Sequence, residues 1–207
     1  PLVIRAAVHD RLKDTRLTKD QRRAIETILS GKALLVGVQG YAGTGKTTMM
    51  RQTASLAGDL VGEAGRSGHK VLGLAPTHSA RATLEESAGY ESQTVQSLFK
   101  DLKAGRVPKD IGRTIVLIDE SSFLSTKNMN QILERLISLN PARIVLSGDR
   151  RQHGAVEAGR PFDLAQKAGM TTAVLKDVVR LPKDAAHKAQ RAGDMTAAEG
   201  RMAAAKH

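Results

Sequence analysis

A glycine-rich segment that begins at Gly40 has the composition of a phosphate-binding loop. Gly40 and Gly45 precede Lys46 and Thr47 in the pattern Gly-x4-Gly-Lys-Thr, whose glycines let backbone N–H groups approach an anion closely. The Lys46 ammonium would reach the terminal phosphates, and the Thr47 hydroxyl would bind Mg²⁺. A purely structural glycine turn is the alternative. We predict that a nucleoside triphosphate binds Gly43, Thr44, Gly45, Lys46, Thr47 and Thr48.

Two consecutive carboxylates follow an apolar run farther along the chain. Residues 114–118 read Thr-Ile-Val-Leu-Ile, and Asp119 and Glu120 come directly after them. We expect Asp119 to bind the hydrated Mg²⁺ and Glu120 to polarise the attacking water. An acidic pair after a strand is by itself commonly a solvated turn, and the phosphate loop earlier in the chain favours the catalytic interpretation.

A third polar segment follows another apolar run, at residues 144–147. Gly148 and Asp149 lead to Gln152, which we expect to point toward the γ-phosphate. Gly-Asp alone marks many turns. Because ligands of open α/β sheets bind beyond the carboxyl ends of the strands, three polar segments at three strand ends are predicted to meet at one site.

The elements that must position these side chains are predicted to be repeated βα units. Short apolar runs alternate with longer amphipathic or Ala-rich segments, which indicates an α/β fold with a mostly parallel central sheet flanked by helices. We predict strands at residues 33–38, 71–75, 115–118, 144–147 and 172–175, and helices at 19–30, 46–63, 79–87, 127–138 and 162–168. Residues 1–182 are expected to form one domain, and residues 183–207 an Ala/Lys/Arg-rich tail that is helical or disordered.

The composition favours a polyanionic partner. The 207 residues contain 32 Lys and Arg against 21 Asp and Glu, a formal charge of +11, which suits nucleic acid, although many basic proteins have no such partner. With two Tyr, three Phe and no Trp, phosphate contacts rather than base stacking would dominate.

The chain has no Cys, which fits a cytoplasmic location.

Two features concern the extent of the protein. No apolar run approaches the roughly 20 residues that a membrane-spanning helix needs, so we expect no membrane span. The chain begins with Pro1 rather than Met, and we expect it to be part of a longer protein.

The order of these three motifs resembles that of superfamily-one helicases, particularly the RecD-like branch. Residues 17–21 resemble the Q motif of that branch, which implies that Gln21 contacts adenine. Residues 75–81 resemble motif Ia and residues 93–98 the element after it, both of which contact single-stranded DNA. This resemblance implies the DNA-binding residues Thr77, His78, Arg81, Thr94 and Ser97.

The longer run from Gly148 to Phe162 resembles the helicase portion of conjugative relaxases. In that family Gly-Asp-x-x-Gln precedes Val-Glu-x-Gly-x-x-Phe, which matches Val156, Glu157 and Gly159 here. Residues 175–180 are similar to motif IV, whose Arg approaches the γ-phosphate, although Leu181 stands where relatives often have Gln. The implied catalytic residues are Lys46, Glu120, Gln152 and Arg180.

The resemblance implies a RecA-like P-loop first motor domain that uses ATP and Mg²⁺ to move 5′-to-3′ along single-stranded DNA. A second motor domain in the longer chain and conjugation-machinery proteins are the further partners expected. The fragment is expected neither to nick DNA nor to unwind it alone. The alternatives are a nucleotide- and DNA-binding or secretion-docking module without turnover, a RecD-type repair subunit, and a small ATPase that does not bind DNA.

Overall fold

A parallel six-stranded sheet organises the part of the chain that the computed structural model describes, namely residues 2–3, 5–41, 43–59, 68–148 and 161–177. Every pair of neighbouring strands is parallel, and the order across the sheet is β3-β2-β4-β5-β1-β6. The strands are β1 (Leu35–Gly40), β2 (Lys70–Ala75), β3 (Ser92–Thr94), β4 (Thr114–Ile118), β5 (Arg143–Gly148) and β6 (Thr171–Leu175).

Seven helices flank this sheet within the described residues. They are α1 (Arg5–Leu12), α2 (Lys19–Ser30), α3 (Lys46–Asp59), α4 (His78–Ala88), α5 (Val95–Lys103), α6 (Thr126–Ser138) and α7 (Pro161–Lys167), with short 3₁₀ turns at Ile111–Arg113 and Ser121–Phe123. None of the helices in the described ranges is long and apolar enough to cross a membrane.

The predicted fold class is confirmed, because a parallel sheet flanked by helices is present and all five predicted strands occur within three residues of their expected bounds. The structure adds β3, α1 and α5, which we did not predict. The helix expected at 46–63 is described as Lys46–Asp59, and its remaining residues lie outside the described part of the chain. The predicted tail at 183–207 also lies outside it.

The sheet is buried on both faces, as parallel sheets usually are. In β4, Ile115 and Leu117 pack with α1–α4 on one face, whereas Val116 and Ile118 pack with α5–α7 on the other. Alternate side chains of a strand point to opposite faces, so a continuous apolar run is what a strand between two helical layers requires.

Helix α2 is held at both ends by specific contacts. At its start the Thr18 hydroxyl accepts from the Gln21 backbone N–H at 3.2 Å, and the Gln21 side chain accepts from the Thr18 N–H at 2.9 Å, a reciprocal capping box. At its end Arg143, buried at the start of β5, donates to the carbonyls of Thr27, Ile28 and Gly31. Burial lowers the pKa of Arg143 to about 10, which leaves it charged at neutral pH, where it complements the negative end of the helix dipole.

Gly73 in β2 lies close to side chains of helix α4 and strand β3. A Cβ atom at this position would lie 2.6 Å from Ser92 Oγ and 2.8 Å from Leu84 Cδ2. Both separations are shorter than van der Waals contact, so a side chain at residue 73 would force the Ser92 and Leu84 side chains to shift.

Candidate nucleotide-binding site

The carboxyl ends of β1, β2, β4 and β5 surround a cleft of about 720 Å³. The loop after β1 and the first turn of α3 form one wall, and one side of α4 from Ser79 to Ser87 forms another. The turn after β4 and the last two residues of β5 form the floor. The polar segments singled out in the sequence contribute Gly43, Gly45, Lys46, Thr47, Thr48, Thr77, Asp119, Glu120 and Gly148 to its lining.

The loop between β1 and α3 has the backbone conformation of an anion-binding turn. Gly43 and Gly45 have φ angles of 80° and 73°, in the left-handed region that glycine adopts without a steric penalty. Helix α3 begins directly afterwards at Lys46, so its free N–H groups and the positive end of its dipole face the cleft. The loop can therefore bind phosphate through its backbone.

The Lys46 ammonium is held inside the loop by backbone carbonyls. Its Nζ donates to the carbonyl oxygen of Gly40 and, at 3.3 Å, to that of Tyr41. These neutral acceptors hold a cation at the mouth of the loop, where a phosphate oxygen would be a stronger acceptor because it carries a negative charge.

Asp119 and Glu120 lie in the turn that follows β4, and both line the cleft. The Asp119 backbone N–H donates to the Leu74 carbonyl at 3.0 Å, which ties this turn to β2. Glu120 has a φ of 48°, a conformation that costs a non-glycine residue about 1 kcal/mol or more. Partial burial raises the pKa of Glu120 above its ordinary 4.5; the charge of Asp119 adds to this shift, and Lys46 opposes it.

Ser147, at the end of β5, is a cleft residue that the sequence did not single out. It is buried, and its hydroxyl has no hydrogen-bond partner within the described residues. Its carbonyl accepts a 2.8 Å hydrogen bond from the Ser121 hydroxyl. The feature of the sequence that could have identified Ser147 as a site residue is its position directly before the predicted Gly-Asp-x-x-Gln segment.

Tyr90, behind the β2 side of the site, was also not singled out as a functional residue. Burial raises the pKa of its hydroxyl, and the negative charge of Asp119 raises it further. The hydroxyl has no hydrogen-bond partner in the described ranges. Tyr90 therefore stays neutral at physiological pH.

Gln21 and Thr44 lie behind the loop rather than on the cleft surface. Gln21 is 2% exposed and Thr44 is 1% exposed. The Gln21 Nε2 donates to the carbonyls of Thr44 at 3.0 Å and Gly45 at 3.3 Å. The Thr44 hydroxyl donates to the Tyr41 carbonyl at 2.8 Å. Both side chains thus contact the backbone of the loop.

The residues predicted to contact DNA are divided between the cleft and the neighbouring surface. Thr77 lines the cleft and caps α4, because its hydroxyl accepts from the Ala80 N–H at 3.1 Å. His78 is exposed, and the Arg81 Nη1 donates to Glu85 at 3.0 Å. Thr94 is buried and caps α5 by accepting from the Ser97 N–H at 3.1 Å. Of the five, Thr77, His78 and Arg81 cluster at the start of α4.

Two predicted catalytic residues, Gln152 and Arg180, lie outside the described residues, as does Asp149. Gly148, the last residue of β5, lines the cleft.

Comparison with known proteins shows what the chain is similar to. Residues 16–207 match the AAA domain family. The chain is 38% identical over 170 residues to the multifunctional conjugation protein TraI of Escherichia coli K12, a match that covers 80% of this chain and 9% of TraI. It is 30% identical over 217 residues to the RecBCD enzyme subunit RecD of Mycolicibacterium smegmatis, covering 90% of this chain and 38% of RecD.

Among solved structures, the Pif1 helicase of Candida albicans has a similar fold. The TM-score is 0.55 at 21% identity, over 79% of this chain and 40% of that protein. The chain thus spans less than half the length of each of these three proteins.

Proposed function

This chain belongs to the AAA domain family, and we propose that it is the ATP-hydrolysing motor of a helicase that moves 5′-to-3′ along single-stranded DNA. It is a RecD-like superfamily-one motor domain, related to TraI and RecD. Helicases of this kind are nucleotide-binding enzymes, and ATP hydrolysis follows from that membership.

One observation carries the proposal. The phosphate-binding loop with its lysine, which follows β1, and the two carboxylates that follow β4 line a single cleft. Lys46 precedes Asp119 and Glu120 by more than seventy positions in the sequence, and the sheet brings the three residues to the same edge. A module that only docks onto another protein needs none of these three side chains at a common site.

In the proposed mechanism, the loop backbone and Lys46 bind the β- and γ-phosphates. The ammonium exchanges the carbonyls of Gly40 and Tyr41 for phosphate oxygens, whose negative charge makes them stronger acceptors for a cation than neutral carbonyl oxygens are. Thr47 and Asp119 would hold Mg²⁺, since both offer the hard oxygen ligands that this ion prefers and both line the cleft. Mg²⁺ held by these residues would neutralise charge on the phosphates.

Glu120 is the proposed general base, with its carboxylate accepting a proton from the attacking water. Its raised pKa makes it a better proton acceptor than an ordinary glutamate. We propose that Gln152 and Arg180 complete the site at the γ-phosphate.

The proposed DNA surface lies at the start of α4, where Thr77, His78 and Arg81 are grouped. Thr77 borders the nucleotide cleft, so one short segment could contact both ligands and couple hydrolysis to movement. Thr94 and Ser97 would contribute at the start of α5. We also propose a second motor domain in the longer chain and an origin in a conjugative relaxase, whose transfer machinery would supply protein partners.

The test is ATP hydrolysis by the full-length protein that contains this chain, with and without single-stranded DNA. We expect DNA to stimulate turnover and Lys46→Ala to abolish it. Lys32→Ala is the matched control, because Lys32 is exposed at the opposite edge of the sheet, before β1. The proposal would be refuted if DNA did not change the rate of ATP hydrolysis, or if Lys46→Ala still hydrolysed ATP. Nucleotide binding without hydrolysis would favour the docking module.

A further inference from the structure

A surface groove between helices α1 and α2, the α1–α2 groove, concentrates positive charge. It has a volume of about 530 Å³, and five Lys and Arg side chains and one Glu give its lining a formal charge of +4 with His9 neutral. By the same count the nucleotide cleft carries −1, from one Lys and two carboxylates, and two other grooves of the described surface carry +1 each. The charged lining residues are Arg5, Lys13, Lys19, Arg22, Arg23 and Glu26.

Two cations on the α2 side of the groove have no counterion among the described residues. Lys19 and Arg23 are exposed, and the side chain of neither forms an ion pair or a hydrogen bond within that part of the chain. Glu26, the carboxylate of the groove, already contacts Arg5 at 3.7 Å and His9 at 3.0 Å. A bound anion would therefore be the counterion that Lys19 and Arg23 lack.

The placement of Lys19 and Arg23 on α2 is unfavourable without an anion. Lys19 is the first residue of the helix, where the positive end of the helix dipole repels a cation. Lys19 and Arg23 are four positions apart, so their like charges lie close together on one face of the helix. An anion bound between them relieves both repulsions.

The shape of the groove suits a linear polyanion better than a single ion. Arg5, His9 and Lys13 recur at intervals of four along one side of the groove, so the ends of this row are about 12 Å apart. Successive phosphates of one DNA strand rise about 3.4 Å along the axis of the duplex. The groove is thus long enough for about three phosphates.

The groove is distant from the residues at the start of α4. Helix α2 packs on β6 and helix α4 on β2 and β3, toward opposite edges of the sheet. Because neighbouring strands are about 4.8 Å apart, the four intervals from β6 to β2 separate the two surfaces by roughly 20 Å. Both helices lie on the same face of the sheet, so one strand of DNA could contact both.

We propose that the α1–α2 groove is a second binding surface for single-stranded DNA, with Lys19 and Arg23 as its main phosphate contacts. The inference rests on the proposed function, because it supposes that the chain binds DNA at the start of α4 as well. No Phe or Tyr of the described residues lines the groove, so it binds the backbone of the strand and does not distinguish base sequences.

Removal of two groove cations tests the proposal in the full-length protein that contains this chain. Lys19→Ala/Arg23→Ala is compared with Lys103→Ala/Lys109→Ala, which removes the same charge from exposed positions at the end of α5 and after it. Helix α5 packs on the other face of the sheet. Fluorescence anisotropy across a salt series measures affinity for a single strand of about 30 nucleotides, long enough to reach both surfaces.

We expect the groove variant to bind DNA about tenfold more weakly than the wild type at about 0.1 M salt. Its salt slope should fall by about 1.4, since each phosphate contact with a single strand contributes about 0.7. Melting temperature and ATP affinity should not change, because neither side chain contacts another described residue. The loss should add to that of Arg81→Ala in logarithmic affinity, because the two surfaces are well separated.

The other outcomes overturn the inference or the proposed function separately. If the groove variant binds DNA like the wild type, or loses no more affinity than the control, the groove does not bind DNA. If it keeps its DNA affinity but no longer binds polyglutamate, the groove accepts an acidic protein segment instead. In both cases the surface at the start of α4 still stands. If the wild-type protein does not bind single-stranded DNA, the proposed function itself fails.

Discussion

The hydroxyl of Ser121 donates a 2.8 Å hydrogen bond to the carbonyl of Ser147, at the buried junction between the turn after β4 and the end of β5. Ser121 is fully buried. The bond joins the segment that carries Asp119 and Glu120 to the strand that leads to Gly148. The two sides of the cleft floor therefore hold each other in place.

Ser121→Ala should reduce stability and impair catalysis more than binding. The Ser147 carbonyl would lose its partner in a buried setting, which costs about 1–3 kcal/mol. We expect a lower unfolding midpoint in urea and a reduced kcat with nearly unchanged ATP affinity. The exposed Ser138→Ala on α6 is the matched control. Wild-type stability of Ser121→Ala would show that the bond contributes nothing.

Glu120→Gln should abolish most hydrolysis while preserving nucleotide binding. The amide cannot take a proton from water, and loss of a general base typically lowers the rate by about 10²–10⁴-fold. Single-turnover hydrolysis and ATP affinity, measured on the same preparation, check both parts. If the variant turned over ATP at the wild-type rate, another residue would be the base.

The rate of hydrolysis should rise with pH through the pKa of Glu120. Burial and the charge of Asp119 raise this pKa above 4.5, so the carboxyl is protonated and inactive as a base below it and ionised above it. We expect the acid limb of the kcat/KM profile, which reports the pKa values of the free protein, to have its midpoint above 4.5, and Glu120→Gln to lose that limb. A midpoint below that value would contradict the electrostatic description.

Arg143→Met should destabilise the fold without changing the site. Three carbonyls at the end of α2 would lose a charged donor, and hydrogen bonds to charged groups contribute about 1.5–3 kcal/mol each. Unfolding in urea should reveal a loss of at least about 2 kcal/mol, whereas the exposed Arg135→Met should change little. Because Arg143 lies at the opposite end of β5 from the cleft, the folded variant should bind ATP normally.

The pair of Arg81 and Glu85 should set the affinity for single-stranded DNA. Arg81→Ala should weaken binding and reduce the salt slope by about 1. Glu85→Gln should strengthen binding, because it releases Arg81 from its 3.0 Å ion pair. Arg106→Ala, which breaks a similar pair with Asp101, is the control. Fluorescence anisotropy across a salt series measures all three; affinity that does not respond to salt would exclude phosphate contacts.

Much of the site was predictable from the sequence because strand direction decides where polar residues gather. Once β1, β4 and β5 are expected to be parallel, Lys46, Asp119 and Gly148 must come to one edge of the sheet, and they do. The resemblance to RecD-like helicases and conjugative relaxases is confirmed as well. Both predictions depend on order along the chain, which a single sequence contains.

Some elements escaped prediction although their signals were present. Helix α5 has Thr94 as its cap and apolar Val95, Leu98 and Leu102 at helical spacing, but it directly follows β3, whose three residues are too short and polar to predict. Helix α1 buries only Val8 and Leu12, a pattern too sparse to separate from loop.

Strand order and the hydrogen bonds between buried side chains and distant carbonyls could not be predicted. The order β3-β2-β4-β5-β1-β6 depends on long-range pairing, and so do the contacts of Gln21 with the loop and of Arg143 with α2. The sequence shows which residues are polar and predicts where strands end, but it does not show which buried donor forms a hydrogen bond with which carbonyl.

The absence of a side chain at Gly73 affects how a mutational survey of this protein would be interpreted. A Cβ atom at residue 73 would force the side chains of Ser92, Leu84 and Tyr90 to shift, so saturation mutagenesis scored by ATP hydrolysis should mark Gly73 as sensitive alongside Lys46 and Glu120. Its intolerance would originate in crowding against Ser92 and Leu84. A parallel score for cellular abundance would separate the two kinds of position, since Gly73 variants should be less abundant in the cell while Glu120 variants should accumulate normally.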